Sequence, residues 1–324
     1  MATVFKTLLN SDIASTKTLL NEAIPITGTI VSGTYNDENI RYGDGFLFES
    51  VYDYPYQSSS ANHIFDITYG YSSALSSSFN PENAQKLNIY SQMAQVLAGY
   101  DQTGSVRRFD ADGDYSTAAN TMNSCVFINY SRLLTKDEIK KGQFVLDLSL
   151  NGGSILGDYG AANNYRVGSP VGDFASLYTS SVAPYGDPVG LLYYQAGIAV
   201  VTASIDTVGL NFASYSAIYS ITGAADDVRS VWNDNDFQNT TELNSTIYFC
   251  RANNGEFNYS SNPTYLSSSQ IIVKDNNPNA NPFTYITTVG LYSADNELLA
   301  VAKLSEPIKK DPTTELTFRV RLDY

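Results

Sequence analysis

The sequence predicts a mainly β, α+β protein of sandwich- or barrel-like sheets carrying two or three short helices. Three observations lead there. Apolar residues fall mostly in short β-branched or aromatic runs bounded by Gly, Asn, Asp and Ser; few stretches show helical spacing; and 324 residues are enough to bury a sizeable core. Charged residues are only 16%, against roughly a quarter in typical domains, so Ser, Thr, Asn and 25 tyrosines supply the polar surface. Tyr offers large amphipathic area at low rotamer cost and is enriched where proteins touch. The net charge of −14 opposes phosphate binding, and no run approaches the roughly 18 apolar residues of a membrane helix. Neither direct nucleic-acid contact nor a membrane is expected.

Residues 1–24 carry Val4, Phe5, Leu8, Leu9, Ile13, Leu19 and Leu20 without a clean period, which reads as an extended N-terminal arm with one helical turn. Residues 25–150 read as a β-rich module. Its strands are ITGTIV, FLFESVY and HIFDITY, followed by a helix over 81–98. Asn80 can cap that helix, Pro81 suits its first position, Glu82 favours its positive end and Gly99 can stop it. Ala84, Leu87, Tyr90, Met93, Ala94 and Leu97 form its apolar stripe. The capping-box pattern Thr135 to Glu138 predicts a second, shorter helix ending at Gly142, flanked by strands in CVFINYSRLL and QFVLDLSL.

Residues 151–324 read as a second β-rich module with long loops and a C-terminal sheet. Gly, Ser, Asn and Pro make 151–188 a long loop, and LLYYQAGIAVVTASI a buried hairpin or a strand bent at Gly197. A short amphipathic helix then uses Ala225, Val228 and Trp232, with Asp226 and Asp227 in its first turn. STIYFCRA, SQIIVK, FTYITTVGLYS, ELLAVAKL and ELTFRVRL are strands, with a hairpin turn at Ala294, Asp295 and Asn296. In the last of them Leu316, Phe318, Val320 and Leu322 alternate with Thr317, Arg319, Arg321 and Asp323, so one face is buried and the other presents two arginines.

Little here points to chemistry. His63 is the sole histidine; Asp66 and Ser58 to Ser60 lie near it in sequence, but a hydrogen-bonded structural histidine is the plainer reading. Asp110, Asp112 and Asp114 alternate as in a calcium loop, yet Gly113 stands at the fourth position rather than the sixth and Thr121 where a bidentate Glu belongs, so the run reads as a solvated acidic turn. Cys125 and Cys250 lie in apolar strands and read as structural thiols. No catalytic, cofactor-binding or metal-binding residue is assigned, and no cofactor is expected. The first residues lack a secretory apolar segment, which predicts folding in a reducing cytoplasm.

Long strings do carry a resemblance. SVYDYPYQSSSANHIFDITYG, LNIYSQMAQVLAGYD, NYSRLLTKDEIKKGQF, LLYYQAGIAVV, the run from Asn239 to Tyr265, and the C-terminal run from Tyr285 to Tyr324 resemble, in that order, virion structural proteins of contractile-tailed bacteriophages, as found in cyanobacterial phages. The resemblance spans nearly the whole chain and is weakest at 151–188 and 205–222. It implies a non-enzymatic subunit in the virion, assembled in the host cytoplasm with copies of itself and other virion proteins. The acidic charge favours the tail, at baseplate or neck, over the lining of packaged DNA. Phe5, Leu8, Leu9, Leu19, Leu20, Arg319 and Arg321 are the expected assembly residues. The alternative is a lectin-like, host-receptor-binding adhesin in which Tyr and Trp232 stack on sugars.

Overall fold

The computed structural model describes residues 5–25, 37–75, 81–116, 120–134, 137–149, 154–205, 210–211, 220–260, 262–267, 270–271 and 279–324. The strand expected at ITGTIV, the cap at Asn80 and most of 205–222 lie outside them. The strands are, in chain order, β1 (Ile13–Pro25), β2 (Ile40–Tyr42), β3 (Glu49–Tyr52), β4 (His63–Tyr71), β5 (Ser124–Asn129), β6 (Glu138–Ile139), β7 (Val145–Asp147), β8 (Ile155–Gly157), β9 (Arg166–Ser169) and β10 (Gly172–Tyr178). They continue with β11 (Pro188–Tyr193), β12 (Ile198–Thr202), β13 (Ser204–Ile205), β14 (Leu210–Asn211), β15 (Asp234–Ala252), β16 (Leu266–Ser267), β17 (Gln270–Ile271), β18 (Thr284–Tyr292), β19 (Leu298–Lys310) and β20 (Leu316–Asp323). Two α-helices, α1 (Pro81–Leu97) and α2 (Ile221–Val231), and four short 3-10 segments complete the described elements. The class is therefore mainly β, as expected.

Two compact units emerge, one of residues 20–241 and one of 1–19 with 242–324. The sequence-drawn division at 150/151 falls between β7 and β8, which pair antiparallel through Leu146 and Leu156 inside the larger unit. A polar loop joining two paired strands looks, in sequence, like a linker.

In the larger unit an antiparallel sheet runs β7-β8-β10-β11-β12-β5-β4-β3-β2. Its central strands bury both faces, which is why they read as continuous apolar runs. Val126 and Ile128 of β5 join Phe65, Ile67, Leu192, Val201, Leu146, Leu156 and α2 in one core. Cys125 and Phe127, the alternate residues, join Tyr90, Ala94 and Leu97 of α1 with Phe109, Met122 and Phe174 in another. The helix lies close on β4 at Gly70, where a Cβ would stand 2.8 Å from both Lys86 O and Tyr90 N. That contact turns the expected stripe: Asn83 and Lys86 are buried and Ala84 is exposed, while Tyr90, Ala94 and Leu97 face inward as expected. Lys86 lies 6.0 Å from the Tyr71 ring centroid, and burial lowers its pKa. Gly99, at φ 79°, ends the helix.

Three expected elements differ. Glu138 and Ile139 form β6 rather than a helix, because they pair with Thr240 and Asn239 of β15 and fully bury Ile139, which one isolated helical turn would not do. The expected loop 151–188 holds β8, β9 and β10; Phe174, Ala175 and Leu177 are buried there, and the flanking strands are too short to show a period. Helix α2 starts at Ile221, capped by Ser220 Oγ accepting from Gly223 N at 3.0 Å, so Asp226 and Asp227 lie beyond its first turn. Asp226 pairs with Arg229, whose Nε also donates to the fully buried Glu49 of β3 at 2.8 Å.

The smaller unit has the hairpin β18–β19, turned at Asn296 with φ 62° as expected. The ladder shifts between Ile286 and Thr288, where four residues of β19 ending at Pro307 bulge opposite Thr287. Strand β20 pairs with Ser245 to Ala252 of β15. Its predicted alternation holds: Val320 is buried, Leu316, Phe318 and Leu322 are half-buried, and Arg319 and Arg321 are exposed. Lys310 is fully buried and donates to Asn258 Oδ1 (2.8 Å), Asp311 O (2.9 Å) and Asn254 O (3.2 Å).

Candidate functional site

The strongest candidate is the apolar surface of the smaller unit. Among its described residues only Ile247, Ala252, Leu291 and Val320 are buried apolar side chains. Outward-facing ones are plentiful: Phe5, Leu9, Leu19, Tyr285, Tyr292, Leu298, Leu299 and Val301 are all exposed, Leu299 at 68% and Leu9 at 63%. A two-stranded hairpin is marginal in water without a further layer. This one presents apolar side chains at adjacent positions, so no single face can be turned inward.

The N-terminal arm adopts a short 3-10 turn at Asn10–Asp12 and then β1. Asp12, nearly buried, accepts from Leu9 N at 3.1 Å and pairs with Arg251; Lys17 pairs with Glu242 and Lys6 with Glu256. These ionic ties hold the arm's backbone while its apolar side chains stay out. Phe5 packs edge-to-face on Tyr292 at 5.2 Å, Leu8 is half-buried, and Leu9, Leu19 and Leu20 are exposed. Of the two arginines, Arg321 pairs with Asp323 (2.6 Å) and donates to Ser245 Oγ (2.9 Å), whereas Arg319 has no ion pair among the described residues. Leu298, Leu299 and Val301 were not among the expected residues. The Leu298–Leu299 doublet is their signal, because two consecutive apolar residues on a two-stranded ribbon expose one of them.

His63 and its neighbours do not form a nucleophilic site. The His63 ring stacks on Tyr52 at 5.2 Å, and its Nε2 lies 2.7 Å from Asp66 Oδ1, the oxygen that also accepts from Ser50 Oγ at 2.6 Å. The carboxylate thus sits between hydroxyl and imidazole, whereas activating a serine requires the imidazole in the middle. Ser58 Oγ accepts from Ser60 N, a local turn contact.

The Asp110 run departs from a solvated turn. Asp110 is buried at 2% exposure, Asp112 is half-buried and only Asp114 is exposed. Burial, with Asp112 and Asp114 nearby, pushes the Asp110 carboxyl up to about 6 against the pull of Tyr115 N, which donates to its Oδ2 at 2.9 Å. Asp158, 1% exposed, is likewise pushed up to about 6 by burial, although Gly142 N (2.6 Å), Phe144 N (2.9 Å) and Tyr194 OH (2.8 Å) all donate to it. Those bonds pin the turn after β6, a structural task.

Trp232 is 2% exposed and stacks on Phe65 at 5.0 Å, so it cannot serve as a platform for sugar as the adhesin alternative requires. Cys125 is fully buried, and burial raises its thiol pKa; Cys250 is half-buried in β15. No helix among the described residues is long and apolar enough to cross a membrane. No family model, curated protein or solved structure matches the chain.

Proposed function

We propose that the chain is a non-enzymatic structural subunit of a tailed-phage virion, an oligomeric component of the tail at baseplate or neck. One observation carries the assembly part: a unit that buries four apolar side chains among its described residues while exposing eleven large ones. Such a surface is stable in water when a neighbour covers it. The occupant proposed is a second copy of the chain. Among the described residues β18 and β19 pair only with each other, so each keeps an open edge to which an identical hairpin can add, with Leu298, Leu299 and Val301 beneath the contact. The virion part is supported by the resemblance of the long strings, and the tail by the net charge of −14.

Light scattering on the size-fractionated chain tests the assembly: the wild type is expected as a discrete oligomer and the variant Leu298→Ser, Leu299→Ser, Val301→Ser as a folded monomer. A monomeric wild type at high micromolar concentration would defeat self-assembly. Mass spectrometry of gradient-purified particles from the phage encoding this sequence tests the virion, and absence of the chain from those particles would remove that part.

A further inference from the structure

We propose that the turn Asp110–Asp114 is a binding site for one calcium-class divalent cation, held by the carboxylates of Asp110, Asp112 and Asp114. One carboxylate oxygen from each of the three lies within 4.8 Å of the others, close enough for a single cation to touch all three. An acidic cluster alone would not carry this, since exposed carboxylates often gather without an ion. Asp110 supplies the independent observation. It is 98% shut from water, and its Oδ1 has no hydrogen-bond donor among the described residues. A buried carboxylate oxygen without a donor, beside two further carboxylates, is strongly unfavourable unless a proton or a cation compensates it, and the cation alone can engage all three carboxylates at once.

The surrounding backbone looks built to hold the arrangement. Ala111 N donates to Asn120 O at 2.9 Å and Met122 N to Phe109 O at 2.8 Å, clamping both ends of the segment. Gly113, at φ 69°, folds the chain back, and its missing Cβ would stand 2.8 Å from the Phe174 ring, so no other residue fits there without displacing the core. Asp112 Oδ1 accepts from Asp114 N (3.0 Å), its Oδ2 from Asn120 Nδ2 (2.6 Å), and Asp114 Oδ1 from Ser116 N (2.8 Å). These donors orient the carboxylates.

The class of ion follows from the ligands. An all-oxygen set with neither thiolate nor imidazole suits a hard cation. Three carboxylates at unequal depth, with the outermost open to water, suit the irregular six- to eight-fold shell of calcium better than the near-ideal octahedron of magnesium.

The test uses the full chain stripped with a chelator. Calcium chloride titrated calorimetrically is expected to show one saturable site, and millimolar calcium to raise the melting temperature by several degrees through ligand linkage. Asp112→Asn is expected to weaken the affinity at least tenfold, as is Asp114→Asn, an exposed position whose change does not threaten folding. An absent calcium response, an equal response in both variants, or an equal response to magnesium would overturn the proposal. So would an Asp110→Asn variant melting higher than a wild type indifferent to calcium, since relief of charge would then be the whole effect.

Discussion

Arg229→Met isolates the most consequential buried charge in the larger unit. Arg229 is 7% exposed and its partner Glu49, on β3, is fully buried, with Nε and Oε2 2.8 Å apart. Removing the guanidinium leaves a carboxylate deep in the joint between α2 and the sheet. Breaking a buried pair by removing one partner costs about 3–5 kcal/mol, which for a unit of this size corresponds to a fall in melting temperature of about 6–20 °C. Asp226, on the solvent side of the same guanidinium, loses a partner too, but water takes its place. Trp232 is a convenient reporter. It is the sole tryptophan, caps the C-terminus of α2 and stacks on Phe65. Urea unfolding followed by its fluorescence should give the loss directly, and the double variant Glu49→Gln, Arg229→Met should recover most of it, because no charge then remains buried. A single-variant loss below about 1 kcal/mol, or a double variant as weak as the sum of the singles, would refute the assignment.

Two further outcomes are expected. Because the folded pKa of Asp158 is pushed up to about 6 from an ordinary 3.8, its contribution to stability is full below pH 3.8 and is lost as pH rises through about 6. Asp158→Asn cannot ionise, so its stability should gain on the wild type by about 2 kcal/mol between pH 4 and pH 7; parallel urea midpoints across that range would contradict this. Gly70→Ala places a Cβ 2.8 Å from two backbone atoms of α1, which must move away, at a cost of about 1–3 kcal/mol read as a lower melting temperature.

The mainly β class, helix α1, a buried hairpin or bent strand at Gly197, the turn at Asn296 and the alternation of β20 were all legible in the sequence. Each rests on a local cause: a period repeated over enough residues, a cap, or a residue suited to its turn. The polar departures were not legible for the complementary reason. Thr135 to Glu138 carries a helix-start pattern, but Ile139 gains more by pairing with β15 than a single helical turn offers, and that partner lies about a hundred residues away. Strands β8 and β9 are too short for any period to stand out, β10 buries four consecutive residues and so shows no alternation, and their neighbours hold all three extended.

The candidate sites divide the same way. Phe5, Leu9, Leu19 and Leu20 could be chosen from sequence because their spacing fits no self-contained element, and they are indeed exposed. The alternating carboxylates of Asp110, Asp112 and Asp114 were visible too, but their depth was not. Whether a carboxylate meets water or the core depends on what the rest of the chain packs over it, and Asp110 is carried inward between Phe109 and Ala111, which join the core shared by α1 and the sheet. Burial is a property of long-range contacts, so the sequence by itself determined which residue types stood where, and only the tertiary structure decided which of them were taken out of water.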